Sequence, residues 1–154
     1  MTVELERQLG PEQTRARYPD AEGHVERDGV RLHYEVYGSG EPTVFLMPTW
    51  SIVHSRHWKM QIPYLARHTS VLTMDGRGNG RSDRPAGPAA YREEEFAADA
   101  LAVLDATGTE RAVLVSLSRG AERSLHLAAS HPERVDKLVF IAPGLPLPPA
   151  TPRL

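Results

Sequence analysis

Four short runs in the chain are apolar at nearly every position: Thr43-Val44-Phe45-Leu46-Met47, Val71-Leu72-Thr73-Met74, Ala112-Val113-Leu114-Val115 and Leu138-Val139-Phe140-Ile141. A strand with one wet face alternates polar and apolar residues. A strand that is apolar throughout is covered on both faces, which points to a parallel sheet between helix layers. The first strand signal differs. Val30, Leu32, Tyr34 and Val36 alternate with Arg31, His33, Glu35 and Tyr37, the mark of a half-buried strand with His33 on its polar face. Arg27-Asp28-Gly29 before it reads as a tight turn from a preceding strand, so the sheet opens with an antiparallel hairpin.

Helical segments lie between the runs. Residues 58–67 form one, interrupted or started late by Pro63. Residues 92–107 carry Phe96, Ala97, Ala100, Leu101 and Leu104 on one stripe, with Glu93, Glu94 and Glu95 in the first turn and Gly108 after the end. Residues 118–130 form a third, stopped by Pro132. Strand–helix alternation with right-handed crossovers gives an α/β fold: a mostly parallel sheet with an antiparallel first hairpin and helices on both faces. The expected organisation is a polar leader over 1–23, one α/β domain over 24–143 and a proline-rich tail over 144–154. His24 and His68 fall at element starts.

Bulk properties exclude several classes. A formal charge of −2 offers no basic footprint for nucleic acid. With no cysteine there is no disulfide, thiol nucleophile or Cys-ligated metal. The polar start is unlike a signal peptide, and no apolar stretch approaches the ~20 residues of a membrane span. A cytoplasmic location is the expectation.

The chemistry centres on Val115-Ser116-Leu117-Ser118-Arg119-Gly120-Ala121. An attacking serine must stand clear of the sheet at the carboxyl end of a strand, where the chain turns sharply into a helix. The backbones there come so close that the residues two before and two after must be small. Ser118 has Ser116 and Gly120 at those places. The helix that follows directs its positive end at the site, and the amide of Arg119 is placed to donate to an oxyanion.

From about Val25 to Pro143 the chain resembles the amino-terminal half of the α/β-hydrolase fold. Phe45-Leu46-Met47-Pro48-Thr49-Trp50 is similar to the loop after the third strand that supplies the second oxyanion donor. Asp75-Gly76-Arg77-Gly78-Asn79-Gly80-Arg81-Ser82 is similar to the family's turn after the fourth strand. Residues 116–120 match the nucleophile elbow, and His131-Pro132-Glu133-Arg134-Val135 matches the link to the sixth strand. The resemblance implies Ser118 as nucleophile and an ester or related small-molecule acyl substrate, attacked through an acyl-enzyme. It makes the Asp75 turn structural, with Asp75 and Arg77 pinning the loop. Met47-Pro48 replaces the family's His-Gly; Pro48 has no amide hydrogen, so the donor is Thr49 or Trp50.

No histidine stands where the family's base does. His126 lies about 12 Å down the helix from Ser118, and His131 further still. His54 and His57, in the loop after the third strand, are the two on the correct edge of the sheet; His54 and Trp50 are candidate pocket residues. His54 and His57 lack partnering carboxylates, so no metal is expected. With neither a phosphate-loop nor a dinucleotide fingerprint, no cofactor is expected. The resemblance implies that the acid and the histidine lie beyond this chain, in a second chain or a lost carboxyl-terminal half. The alternatives are a non-catalytic module that senses a ligand or binds a partner, and a truncated product without activity.

Overall fold

The computed structural model describes residues 16–50 and 52–145. Most of the expected leader and nearly all of the proline-rich tail lie outside the described residues. The elements are β1 (Ala21–Arg27), β2 (Val30–Tyr37), β3 (Val44–Leu46), α1 (Ile62–Leu65), β4 (Val71–Met74), α2 (Glu93–Ala106), β5 (Ala112–Leu117), α3 (Gly120–Ser130) and β6 (Val135–Ile141), with 3-10 turns at Ser55–Trp58, Pro88–Tyr91 and Pro132–Arg134. They form one six-stranded sheet in the order β1-β2-β4-β3-β5-β6. β2 pairs antiparallel with β1 and β4; the pairs β3–β4, β3–β5 and β5–β6 are parallel. Asp28 and Gly29 close the first hairpin with φ of 51° and 75°, the positive values that a two-residue turn needs to match strand twist.

Three of the four uniformly apolar runs are explained by two cores; the fourth, in β6, is not covered on both faces among the described residues, and only Leu138 of it packs against a core. Phe45 and Met47 face one side with Leu72, Met74, Leu114 and the α2 stripe of Ala97, Ala100, Val103 and Leu104. Val44 and Leu46 face the other with Tyr37, Val71, Trp58, Ile62 and Ala66. Successive β3 side chains alternate between the cores, so neither set meets water. The layers are unequal. α2 and α3 cover the first face, whereas the second is closed mainly by α1, only four residues long with Pro63 in its first turn, and by the 3-10 turn before it.

Two expectations need correcting. The polar face of β2 is not wet: His33, Glu35 and Tyr37 are all buried. β2 lies inside the sheet, between β1 and β4; the second core takes in Tyr37, whose hydroxyl donates to Glu35, and Arg81 and Ser82 of the turn after β4 meet His33. His24 stands in the middle of β1 rather than at an element start. The glutamates at the α2 start also do more than complement its dipole. Glu95 takes Arg27 at 2.6 Å, and the fully buried Asp99 one turn on binds Arg27 at 2.8 Å and Arg77 through two bonds of 2.6 Å.

Among the described residues β6 is an edge, with Val139, Phe140 and Ile141 exposed at 43%, 37% and 43%. An apolar strand edge is a template for pairing with another chain. The 154-residue chain is therefore expected to self-associate at micromolar concentration, and Val139→Lys with Ile141→Lys to weaken that association. Sedimentation velocity checks this; a concentration-independent monomer for the unsubstituted chain contradicts it.

Candidate active site

The parallel pairing of β3 with β5 carries both chains to the same edge of the sheet. Met47 N–H donates to the Val115 carbonyl at 2.9 Å, one step beyond the last strand pair. There the two chains part, β3 into Pro48 and Thr49, β5 into Ser118. Ser118 has φ of 52°, a left-handed conformation that a non-glycine residue adopts only where its surroundings enforce it. Its N–H donates to the Ile141 carbonyl at 3.1 Å, and its own carbonyl accepts from Ala121 at 3.1 Å and Gly144 at 3.0 Å. The junction is thus tied to β6, to the first turn of α3 and to the segment after β6.

Space is the second constraint. A Cβ on Gly120 would come within 3.1 Å of the Pro48 carbonyl oxygen and 3.5 Å of Ser116 Cβ. A Cβ on Gly144 would lie 3.4 Å from both Ser118 Oγ and the Arg119 amide nitrogen. Ser116 is fully buried, and its hydroxyl is hydrogen-bonded to that of Ser124 on α3.

Thr49 is buried beside this junction, its hydroxyl donating to the Leu117 carbonyl at 2.8 Å. Arg119 follows Ser118 with a half-exposed side chain ion-paired to Glu93. Trp50 is 55% exposed, and its carbonyl accepts from Val53 N–H at 3.1 Å. Trp58 by contrast is core, its indole N–H donating to the Met47 carbonyl at 3.2 Å. His54 is drawn away: its ring nitrogen accepts from the Arg56 amide at 3.2 Å, and it lines a separate 210 Å³ cavity with Glu35, Asp75 and Arg81. His57 donates from Nδ1 to the His54 carbonyl at 2.9 Å, and burial pushes its pKa down. Among the described residues no histidine is hydrogen-bonded to Ser118.

The Asp75 turn is held by its own carboxylate. Oδ1 accepts from Ser55 N–H at 2.9 Å, and Oδ2 from Arg81 N–H at 3.0 Å. Gly80, at φ 51°, lies where a Cβ would collide with that carboxylate. Burial alone would raise the Asp75 pKa, but His33 and the bonds from Arg81 and Ser55 outweigh it and hold the carboxyl far below the usual range. Ligand atoms of Glu22, His33 and Glu35 lie within 4.8 Å of one another, a spacing a metal could use. The Arg81 guanidinium stands 2.9 Å from both His33 Nε2 and Glu22 Oε1, so a cation already serves that cluster.

One residue outside the sequence reading completes the site. Arg123, 2% exposed on α3, donates from Nε to Glu93 at 2.7 Å and from Nη1 to the Pro48 carbonyl at 3.2 Å. Its guanidinium carbon lies 3.6 Å from the Phe96 ring centroid. Burial lowers its pKa, and Glu93 opposes the shift. Its register is the signal that could have found it: Arg123 sits four residues before the buried Leu127 and next to the buried Ser124. Which of three consecutive glutamates would meet it is a tertiary matter.

The family model for the alpha/beta hydrolase fold matches residues 42–154, and the chain belongs to that family. It is 36% identical over 114 residues to 2-hydroxymuconate semialdehyde hydrolase of Pseudomonas sp. (strain CF600), covering 73% of this chain and 40% of that protein. A putative carbamate hydrolase, RutD, of Caulobacter segnis is 35% identical over 111 residues, covering 70% of this chain and 41% of its own length. In a solved structure titled Est816 as an N-acyl homoserine lactone degrading enzyme, the match covers 79% of this chain and 45% of that one, with 40% identity and a TM-score of 0.72. The chain thus spans about two fifths of the length of the curated relatives it matches. Among the described residues no helix is long and apolar enough to cross a membrane.

The Asp75 geometry predicts a pH signature. A carboxyl whose folded pKa is depressed contributes stability above its unfolded value, about 3.9, and loses it as pH falls through the folded value. Asp75→Asn should lower stability at pH 7 by about 2–3 kcal/mol, and the gap to the unsubstituted chain should narrow below about pH 4. Thermal melts across that range check it; a constant gap contradicts the assignment.

Proposed function

We propose that this chain carries the nucleophile and oxyanion half of a serine hydrolase acting on carboxylic esters or related small-molecule acyl compounds. Ser118 is the nucleophile, and the backbone N–H groups of Thr49 and Arg119 are the oxyanion donors. The observation that carries this reading is the left-handed Ser118 at the junction of β5 and α3, with Gly120 two residues on lying close against the Pro48 carbonyl. Strain of that kind persists only where the surroundings hold it, and it gathers at reactive sites. The activities named for two relatives support the substrate class, since carbamates and lactones both present a carbonyl to attack.

In the proposed reaction Ser118 Oγ adds to the carbonyl carbon, and the carbonyl oxygen takes the negative charge against the Thr49 and Arg119 amides. Collapse expels the alcohol and leaves an acyl-serine, which water then cleaves. The proton on Oγ needs a base. No described histidine is bonded to Ser118, so the reading requires a histidine and an orienting carboxylate from polypeptide outside the described residues, further along the same protein or on a second chain. Trp50 supplies an exposed pocket wall; His54, engaged with Arg56, is the weaker candidate. In this reading residues 24–143 are the hydrolase unit and the protein works in the cytoplasm. That no described histidine is bonded to Ser118 also favours a second reading, a non-catalytic module that senses a ligand or binds a partner, or a product without activity.

The 154-residue chain is expected to hydrolyse p-nitrophenyl acetate only in trace, at most roughly 10³–10⁴ over water, the residue left to an oxyanion site and binding. Ser118→Ala should remove that trace. Supplying the carboxyl-terminal portion of a relative, fused or as a second chain, should raise turnover by several orders of magnitude, since losing the base costs on the order of 10⁶ in one protease. Strong hydrolysis unchanged by Ser118→Ala overturns the assignment.

A further inference from the structure

The buried Arg123–Glu93 pair has no part in the proposed reaction, yet it meets the site at one atom, the Pro48 carbonyl oxygen. That oxygen belongs to the same peptide group as the Thr49 N–H. We infer that Arg123 is a positioning residue for the Thr49 amide, acting through the Pro48–Thr49 peptide plane; this rests on the proposed oxyanion role of Thr49.

The geometry follows from the peptide bond. In a planar trans peptide the C=O and N–H point in opposite directions. Anchoring the Pro48 oxygen on Arg123 Nη1 at 3.2 Å turns the Thr49 N–H away from that side chain. Two close backbone approaches and one hydrogen bond limit the remaining freedom. Pro48 Cβ stands 3.2 Å from where a Cβ on Gly76 would lie, and the Pro48 oxygen 3.1 Å from where one on Gly120 would lie. The Thr49 hydroxyl donates to the Leu117 carbonyl at 2.8 Å. The peptide is thus held at its oxygen, at the proline ring and at the threonine side chain. A cation on the carbonyl also polarises the amide and makes its N–H a stronger donor, as bonds in a chain strengthen one another.

Arginine suits this task where lysine does not. One flat group bonds Glu93 through Nε and Pro48 through Nη1, and lays its face on Phe96 at 3.6 Å. An apolar side chain of similar volume would fill the same space with no charge to desolvate, so packing alone does not account for the charge. Glu93 also binds the side chain of Arg119, whose amide is the other proposed donor. One carboxylate thereby braces both residues that would hold the oxyanion.

The test uses the 154-residue chain with Arg123→Met, Arg123→Lys and Glu93→Gln, and the exposed Arg67→Met as control. The first readout is the Thr49 amide resonance in a 1H–15N spectrum. Arg123→Met should move it more than any other amide outside α3, Arg123→Lys should restore it in part, and Arg67→Met should leave it in place. The second is Ser118-dependent hydrolysis of p-nitrophenyl acetate. Arg123→Met should lower turnover about 10- to 100-fold with KM nearly unchanged, the signature of a misplaced donor. Glu93→Gln, which keeps the arginine and loosens its anchor, should move both readouts in the same direction and serves if Arg123→Met fails to fold. An unmoved Thr49 resonance overturns the inference, even where turnover falls, because the loss would then come from elsewhere. Hydrolysis that is indifferent to Ser118→Ala defeats the serine reading instead, and the Thr49 resonance still decides whether Arg123 sets that peptide.

Discussion

The site depends on the pairing of β3 with β5, two strands separated in sequence by α1, β4 and α2. Their parallel register aligns Val44 with Val113 and Leu46 with Val115. The Met47–Val115 bond then brings Pro48 and Thr49 out of the sheet beside Ser118. A slip of one residue would exchange the two cores, because successive β3 side chains serve opposite faces. Burial on both faces therefore fixes the register, and the register fixes which peptide of the β3 loop meets the serine.

Close approach of backbones is the second theme, and it explains the small residues. Gly120 faces the Pro48 carbonyl, Gly76 fits between Pro48 and Phe96, and Gly144 passes over Ser118. None of these three glycines has a positive φ; they are small because another chain lies against them. Ser118 is the opposite case, a side chain kept in a conformation that glycine would adopt more readily. The turn is stabilised by the bonds from Ser118 to Ile141, Ala121 and Gly144.

Charge holds the loops around this centre. Asp99 joins Arg27 of β1 to Arg77 of the turn after β4, and Asp75 closes that turn on the Arg81 amide and ties it to the Ser55 amide of the 3-10 turn after β3. Arg123 fastens α3 to the β3 loop. Each buried charge has an opposite partner or hydrogen bonds, without which burial would cost several kcal/mol. The first sheet face thus rests on apolar packing, while the carboxyl edge is organised by paired charges.

Local pattern was enough for much of this. Three of the four apolar runs announced strands covered on both faces, Asp28-Gly29 the hairpin, the Phe96 to Leu104 stripe α2, and the Ser116 to Gly120 spacing the sharp turn, because each signal lies within a few residues of its consequence; the fourth run is β6, an exposed edge among the described residues. Three matters were decided elsewhere. The burial of His33 depends on Asp75, Arg81 and Ser82 of the turn after β4, and that of Glu35 on the 3-10 turn around Ser55 and Arg56, which alternation along β2 cannot register. Whether His54 turns to the serine or to its neighbour Arg56 depends on a 3-10 turn that leaves no periodic trace. The choice of Glu93 for Arg123 and Arg119, and of Glu95 for Arg27, depends on which face of α2 meets which strand or helix. Sequence by itself determined where strands, turns and the strained serine fall. Tertiary structure decided which distant groups meet there, because charge pairing and peptide orientation are set by three-dimensional distance.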